Sequence, residues 1–160
     1  RPFNDLRVVV APGTRAGKPD RVTTTDQNTA SASSLVPVGV LGARGRRDRY
    51  KRQGLGTAAR AADEVWLTNE GSHGEDPAAI VAELRTGLMG ADATVRTVLD
   101  RYEAITSAVA SASPGDVVLV VGRGHETRLQ DTVDPRGAVH FDDTEVARAA
   151  LLDEPEAQAS

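Results

Sequence analysis

Short β-branched runs alternate along most of the chain with apolar stripes of helical spacing, and that alternation predicts the elements. Arg7-Val8-Val9-Val10-Ala11, closed by Pro12-Gly13, reads as a strand. From Thr14 to Ser34 the residues are mainly Thr, Ser, Ala, Gly, Asp and Asn with no apolar period, which predicts a long mobile loop. Val36 to Leu41 predicts a second strand, with Pro37 near its start, where a missing N–H is tolerated. Gln53 to Ala62 is short and alanine-rich, Glu64 to Thr68 reads as a strand, and Pro77 to Met89 carries Ile80, Val81, Leu84 and Leu88 on one helical face. Asp76 and Pro77 supply that helix with an N-cap and a first-turn proline. Thr94 to Leu99 predicts another strand. After it, Asp100 and Glu103 resemble a capping box opening a helix with the stripe Ala104, Ile105, Ala108, Val109 and Ala112. Pro114-Gly115-Asp116 turns into Val117 to Val121, a continuous β-branched run suited to a central strand buried on both faces. Thr127 to Phe141 alternates loosely around Asp134-Pro135-Arg136-Gly137, a hairpin signal. A last helix, capped by Asp142 with Glu145 three residues on, runs to about Leu152.

This order predicts an α/β domain of Rossmann-like build: a mostly parallel sheet with right-handed crossovers, helices on both faces and a C-terminal hairpin. Its expected limits are residues 36–152, preceded by a strand and loop in 1–35 and followed by an acidic tail in 153–160. With 160 residues, a second full domain does not fit. No apolar run approaches the roughly 20 residues that span a bilayer, so no membrane partner is expected. The formal charge of -4, from 19 basic and 23 acidic side chains, makes nucleic acid an unfavourable partner. The chain has no cysteine, which removes disulfides, thiolate metal sites and a cysteine nucleophile. No charged and apolar leader follows Arg1, and the cytoplasm is the expected compartment.

In such a sheet, ligands sit beyond the carboxyl ends of the strands. Three segments fall there. Gly42 to Arg52 (GARGRRDRYKR) packs Arg44, Arg46, Arg47, Arg49, Lys51 and Arg52 against Asp48 alone. Guanidinium groups on a glycine-containing loop before a helix suit a phosphate or carboxylate, and the bland alternative is a solvated basic loop. Gly122 to Glu126 (GRGHE) follows the predicted central strand and lets the backbone approach a ligand, with Glu126 suited to a substrate ammonium. Asn69 to Glu75 (NEGSHGE) offers Glu70 and His73 as contacts, or serves as a flexible connection. His73, His125 and His140 show no metal-ligand spacing, so no metal site is expected. No nucleophile motif is present, and no catalytic residue is expected in this chain.

Taken in order, GARGRRDRYKRQGLGTAARAADEVWLT, EDPAAIVAEL, DRYEAI, PGDVVLVVGRGHE and HFDDTEVARAAL resemble the C-terminal domain of Mur ligases. The likeness is nearest to the branch that adds the third residue of the peptidoglycan stem peptide, the UDP-N-acetylmuramoyl-tripeptide synthetases. It covers Val36 to about Leu152. The resemblance implies that ATP, with magnesium, activates a carboxylate in a separate P-loop domain, and that this domain closes to present the amine of an incoming amino acid. Its partners would then be the amino-acid substrate and the ATP-binding and UDP-binding domains, or a protein supplying them. No nucleotide cofactor is expected in the chain itself.

The family pattern G-D-R-D-x-G-K-R aligns with Gly45 to Arg52, so Arg47 inherits the grip on the amino acid. The G-K-G-H-E turn aligns with Gly122 to Glu126, with Arg123 in place of lysine, so Gly122 and Glu126 inherit contacts to the amino acid's far end. Where diaminopimelate-adding members have D-N-P-R to read a distal carboxylate, this chain has Glu70-Gly71-Ser72-His73. Without that arginine, an amino acid with a neutral or cationic side chain is expected, Glu70 and Glu126 facing an ammonium. Below about pH 6.5 a protonated His73 would partly replace the arginine. The family's D-Y-A-H-T-P-D nucleotide segment has only Asp26-Gln27-Asn28-Thr29 near its place. Two readings stay open: the amino-acid-binding domain of a ligase, inactive alone, and a binding or scaffold module that kept the fold and lost the chemistry.

Overall fold

The computed structural model describes residues 7–10, 37–46, 49–113, 116–124, 126–130 and 138–152. The loop predicted over Thr14 to Ser34, the Asp26 segment, the hairpin turn at Asp134 to Gly137 and the tail over 153–160 lie outside those residues.

Among the described residues, seven strands and four helices run in the order β1 (Arg7–Val10), β2 (Pro37–Ala43), α1 (Arg49–Ala58), β3 (Glu64–Asn69), α2 (Pro77–Gly87), β4 (Thr94–Thr97), α3 (Arg101–Ser111), β5 (Val117–Val121), β6 (Arg128–Gln130), β7 (Ala138–His140) and α4 (Asp143–Leu152), with one 3-10 turn at Ala59–Ala61. The main sheet has the order β1-β5-β2-β3-β4. Strands β5, β2, β3 and β4 are parallel, and β1 joins the edge antiparallel to β5. β6 and β7 form a separate antiparallel pair, the predicted hairpin. Among the described residues no helix is long and apolar enough to cross a membrane.

The period-2 geometry of strands splits the interior into two layers. Val38 and Val40 of β2, Trp66 of β3, and Val118 and Val120 of β5 face one side, covered by Ala104, Ile105 and Ala108 of α3 and Ala147 of α4. Leu41, Val65 and Leu67 face the other, covered by Ile80, Val81 and Leu84 of α2. The stripes read from the sequence are the buried faces of α2 and α3. Their caps form as expected: Asp76 accepts from the Ala78 N–H at 3.0 Å and Asp100 from the Glu103 N–H at 2.8 Å. Asp142 accepts from the Thr144 N–H at 2.7 Å and opens α4.

Three expectations shift. The middle strand is β2; β5 lies next to it, with Val118 and Val120 fully buried and the alternate residues half-buried. β2 runs on to Ala43 and α1 starts at Arg49 rather than Gln53, so the basic loop is shorter than predicted and Arg49, Lys51 and Arg52 are helical. β4 stops at Thr97, not Leu99.

α1 packs on α2 through a glycine seam. A Cβ on Gly56 would lie 2.0 Å from the Leu84 carbonyl oxygen, and one on Gly87 would lie 2.2 Å from that of Gln53. The backbones touch there because neither residue has a side chain. Gly54, two residues away and on the opposite face of the same helix, faces open space.

Candidate functional site

The chain steps from β2 to β3 to β4 in one direction, then returns through α3 to β5 on the other side of β2. This reversal opens a crevice between the carboxyl ends of β2 and β5, the place where open α/β sheets bind ligands. A cleft of about 350 Å³ lies there. Arg44 comes to it just after β2, Glu70 and His73 after β3, and Arg123 and Glu126 after β5, while Thr127 and Arg128 close it from the hairpin side.

Arg44 spans the crevice. Its Nη1 stands 3.1 Å from Glu126 Oε1, and its Nε donates to His73 Nε2 at 2.8 Å. Because arginine has only donors, His73 offers an unprotonated Nε2 in this arrangement. Behind Arg44, the loop that follows β2 lies directly on the one that follows β3. The Gly45 N–H donates to the Gly71 carbonyl at 2.8 Å, and a Cβ on Gly45 would fall 1.7 Å from the Ser72 carbonyl oxygen. Asn69 folds the second loop by accepting from the Gly71 N–H at 2.9 Å.

Arg52 fixes this loop pair from beneath. It is 1% exposed, with Nη1 at 2.8 Å from Glu75 and 2.9 Å from Glu83 and Nη2 donating to the Arg44 carbonyl at 3.3 Å. Glu75 in turn accepts from the Arg46 N–H at 2.5 Å. The arginine beside them holds Glu75 and Glu83 below the usual carboxylate range, Arg52 through its bond to Glu75 and Arg49 through its bond to Glu83.

A buried charge cluster adjoins the cleft through Arg123. Arg101, 2% exposed, grips Asp143, 3% exposed, through two parallel bonds, Nε to Oδ1 at 2.8 Å and Nη2 to Oδ2 at 2.7 Å. Arg101 also donates to the carbonyls of Val121 at 3.2 Å and Asn69 at 3.4 Å, so it ties the ends of β5 and β3 together. Arg123 brings its Nε to 3.7 Å from Asp143 and donates through Nη2 to the carbonyls of Glu126 and Phe141 at 3.2 and 3.1 Å. Its guanidinium lies 5.5 Å from the centre of the Phe141 ring. Burial lowers the Arg123 pKa, against the pull of Asp143.

Glu70 rests above this cluster in a notch that two glycines leave open. A Cβ on Gly122 would come within 2.2 Å of Glu70 Oε2, and one on Gly42 within 2.8 Å of the Glu70 Cβ. Gly122 has φ of +116°, a second reason for glycine there. Burial pushes the Glu70 carboxyl from 4.5 up to about 7, against the pull of Arg101. The folded chain therefore holds this proton at pH values where the unfolded chain has lost it. Stability from Glu70 is fully present below pH 4.5 and falls as pH rises to about 7. Glu70→Gln is accordingly expected to melt higher than the parent at pH 8 and at the same temperature below pH 4.5. A lower melting temperature at pH 8 would show that Arg101 needs the ionised carboxylate.

Of the residues singled out in the sequence, Arg44, Glu70, His73 and Glu126 meet in this cleft, with Gly122 beside Glu70. Arg46 lies against Gly74, Arg49 bonds Glu83 on the outside of α1, and Lys51 is exposed on the same helix. Arg47 and His125 lie outside the described residues. The residues not foreseen are Arg101 and Asp143. Their signal was present: Arg101 continues the stripe of Ala104, Ile105 and Ala108 one turn upstream, and Asp143 stands four residues before the buried Ala147.

Comparison with known proteins fits this architecture. A family model described as "Mur ligase, glutamate ligase domain" matches residues 7–124. The UDP-N-acetylmuramoyl-L-alanyl-D-glutamate--2,6-diaminopimelate ligase of Geobacillus thermodenitrificans is 43% identical over 115 residues, which cover 70% of this chain and 22% of the relative. The enzymes of the same name from Prochlorococcus marinus and Streptomyces coelicolor are 45% identical over 115 and 118 residues, again across 70% of this chain. The chain thus spans about a fifth of the length of these relatives, 22% in each case. The family model covers most of the described sheet and ends inside the turn that carries Gly122, and on that ground the chain belongs to the Mur ligase family, as its C-terminal, glutamate ligase domain.

Proposed function

We propose that this chain is the amino-acid-binding domain of an ATP-dependent acid–amino acid ligase of peptidoglycan precursor synthesis, and that it is not catalytic alone. The observation that carries this reading is a cleft at the switch point whose walls bear both signs of charge, Arg44 against Glu126 and Glu70. A zwitterionic ligand leaves no charge unpaired in such a cleft. Arg47 grips the substrate carboxylate, and Gly122, Glu126, Glu70 and His73 surround its far end. Holding the amine in a fixed position turns an encounter into a near-unimolecular step, which is the domain's contribution to rate. ATP and magnesium would supply carboxylate activation from domains outside this chain, and the cytoplasm is the compartment this reading implies. Arg46 and Lys51 would face a transferring phosphate, with Arg49 able to join them on leaving Glu83, since Arg52 is committed beneath the loops.

The test is a chemical-shift titration of the chain with L-lysine and with meso-diaminopimelate at pH 8, alongside a phosphate-release assay with ATP. Binding in the millimolar range or tighter, weakened at least about tenfold by Arg47→Ala, and no phosphate release are expected. Phosphate release proportional to protein and lost on Arg47→Ala would show a complete active site. The changed Asp26 and Glu70 segments favour a second reading, the scaffold module. Binding of neither amino acid would support it.

A further inference from the structure

The sequence offers no arginine in the loop after β3 to read a second carboxylate, but the fold brings one from elsewhere. Arg44, on the loop after β2, crosses the crevice and bonds the imidazole of His73, the residue aligned with the missing arginine. We propose that Arg44 is a specificity-determining residue: it reads a distal carboxylate and makes the cleft favour an amino acid whose far end carries both ammonium and carboxylate over one that ends in an ammonium alone. This rests on the amino-acid-binding reading above.

Three observations support it. First, among the described cations at the cleft, Arg44 is the one that bonds both His73 and Glu126 while its side chain stays accessible to a ligand. Arg123 is 2% exposed and turned to the carbonyls of Glu126 and Phe141, and Arg128 donates to the Ala138 carbonyl at 3.0 Å. The Arg44 side chain is 36% exposed. Its two bonds use Nε and Nη1, and among the described residues Nη2 takes none. Second, His73 fixes the plane of the guanidinium by accepting from Nε, so the ordering cost is met before a ligand arrives. Third, Arg44 already neutralises Glu126 at 3.1 Å. An ammonium that takes Glu126 for itself leaves Arg44 without its counter-ion. A carbon bearing both groups inserts into the pair and satisfies both partners, ammonium on Glu126 and carboxylate on Arg44. The expectation of a neutral or cationic side chain assumed a far end without a cation, and Arg44 changes that premise.

The closing experiment measures affinities of the chain for meso-diaminopimelate and L-lysine at pH 8, by the same titration, for the parent, Arg44→Ala, Arg44→Lys and Glu126→Gln. The parent is expected to prefer diaminopimelate. Arg44→Ala should weaken diaminopimelate about tenfold and leave lysine unchanged or tighter, since Glu126 is then released, and Arg44→Lys should fall between. Glu126→Gln should weaken both ligands. A merely structural Arg44 would move both affinities together. If the parent prefers lysine, or if the ratio of affinities is the same in Arg44→Ala while Glu126→Gln weakens both, the role assigned to Arg44 is overturned and the amino-acid-binding reading stands. If the parent binds neither ligand, that reading fails and the inference fails with it.

Discussion

Asp143→Ala is expected to cost about 3–5 kcal/mol, the largest loss from a single side chain in this fold, because it leaves a buried charge without its partner. Arg101 is held by both carboxylate oxygens of Asp143, and Arg123 approaches the same carboxylate. All three are nearly inaccessible, at 2%, 2% and 3% exposure. Removing the aspartate leaves two buried guanidinium groups without the carboxylate they share, with Glu126 and Glu70 the remaining acids that act on Arg123. Asp143 raises the Glu70 pKa, so its loss lets Glu70 ionise more readily and take over as counter-ion. The fall in stability that Glu70 causes in the parent between pH 4.5 and about 7 should therefore be smaller in Asp143→Ala. Its neighbour is the control: Asp142 caps α4 from a half-buried position, and Asp142→Ala should cost about 1 kcal/mol. Urea denaturation of the two variants at pH 8 checks the difference. Equal losses would mean that the cluster adds nothing beyond the helix cap.

The second large effect comes with a change of sign inside one helix. Gly56→Ala should destabilise by about 3 kcal/mol, since its methyl group would meet the Leu84 carbonyl oxygen at 2.0 Å and can be accommodated only by moving α1 off α2. Gly54→Ala, two residues away on the opposite face, meets nothing within 4 Å and should stabilise by about 0.5–1 kcal/mol through lower chain entropy in the unfolded state. Thermal melting of the two variants decides the matter. A stable Gly56→Ala would show that the helix pair has slack that its backbone contacts do not suggest.

How far this protein was legible in advance follows from the kind of signal each part carries. β2, β3 and β5 and the stripes of α2 and α3 were readable because burying one face imposes a period that survives any particular choice of apolar residue. The start of α1 was not. Arg49, Tyr50, Lys51 and Arg52 carry no apolar period, and their ability to form a helix is hidden by a polarity that looks like loop. Arg52 and Gly56 do share an inward face, four residues apart, but one is a charge and the other has no side chain, so neither registers as core. The cleft divides in the same way. That Arg44, Glu70 and Glu126 lie near strand ends follows from the order of elements. That Arg44 bonds His73, 29 residues on, and Glu126, 82 residues on, depends on how two loops stack across the sheet, and no local pattern encodes it.

The antiparallel edge strand gives the cleft end of the sheet a strand start among strand ends. Arg7 stands opposite Val120 and Val10 opposite Val117, so β1 begins at the cleft end of the sheet and runs away from it. Antiparallel pairing thus puts the first residue of β1 at the same end of the sheet as Gly122 and the cleft, whereas each parallel strand has its first residue at the opposite end, so both the start of the edge strand and the ends of its parallel neighbours border the crevice.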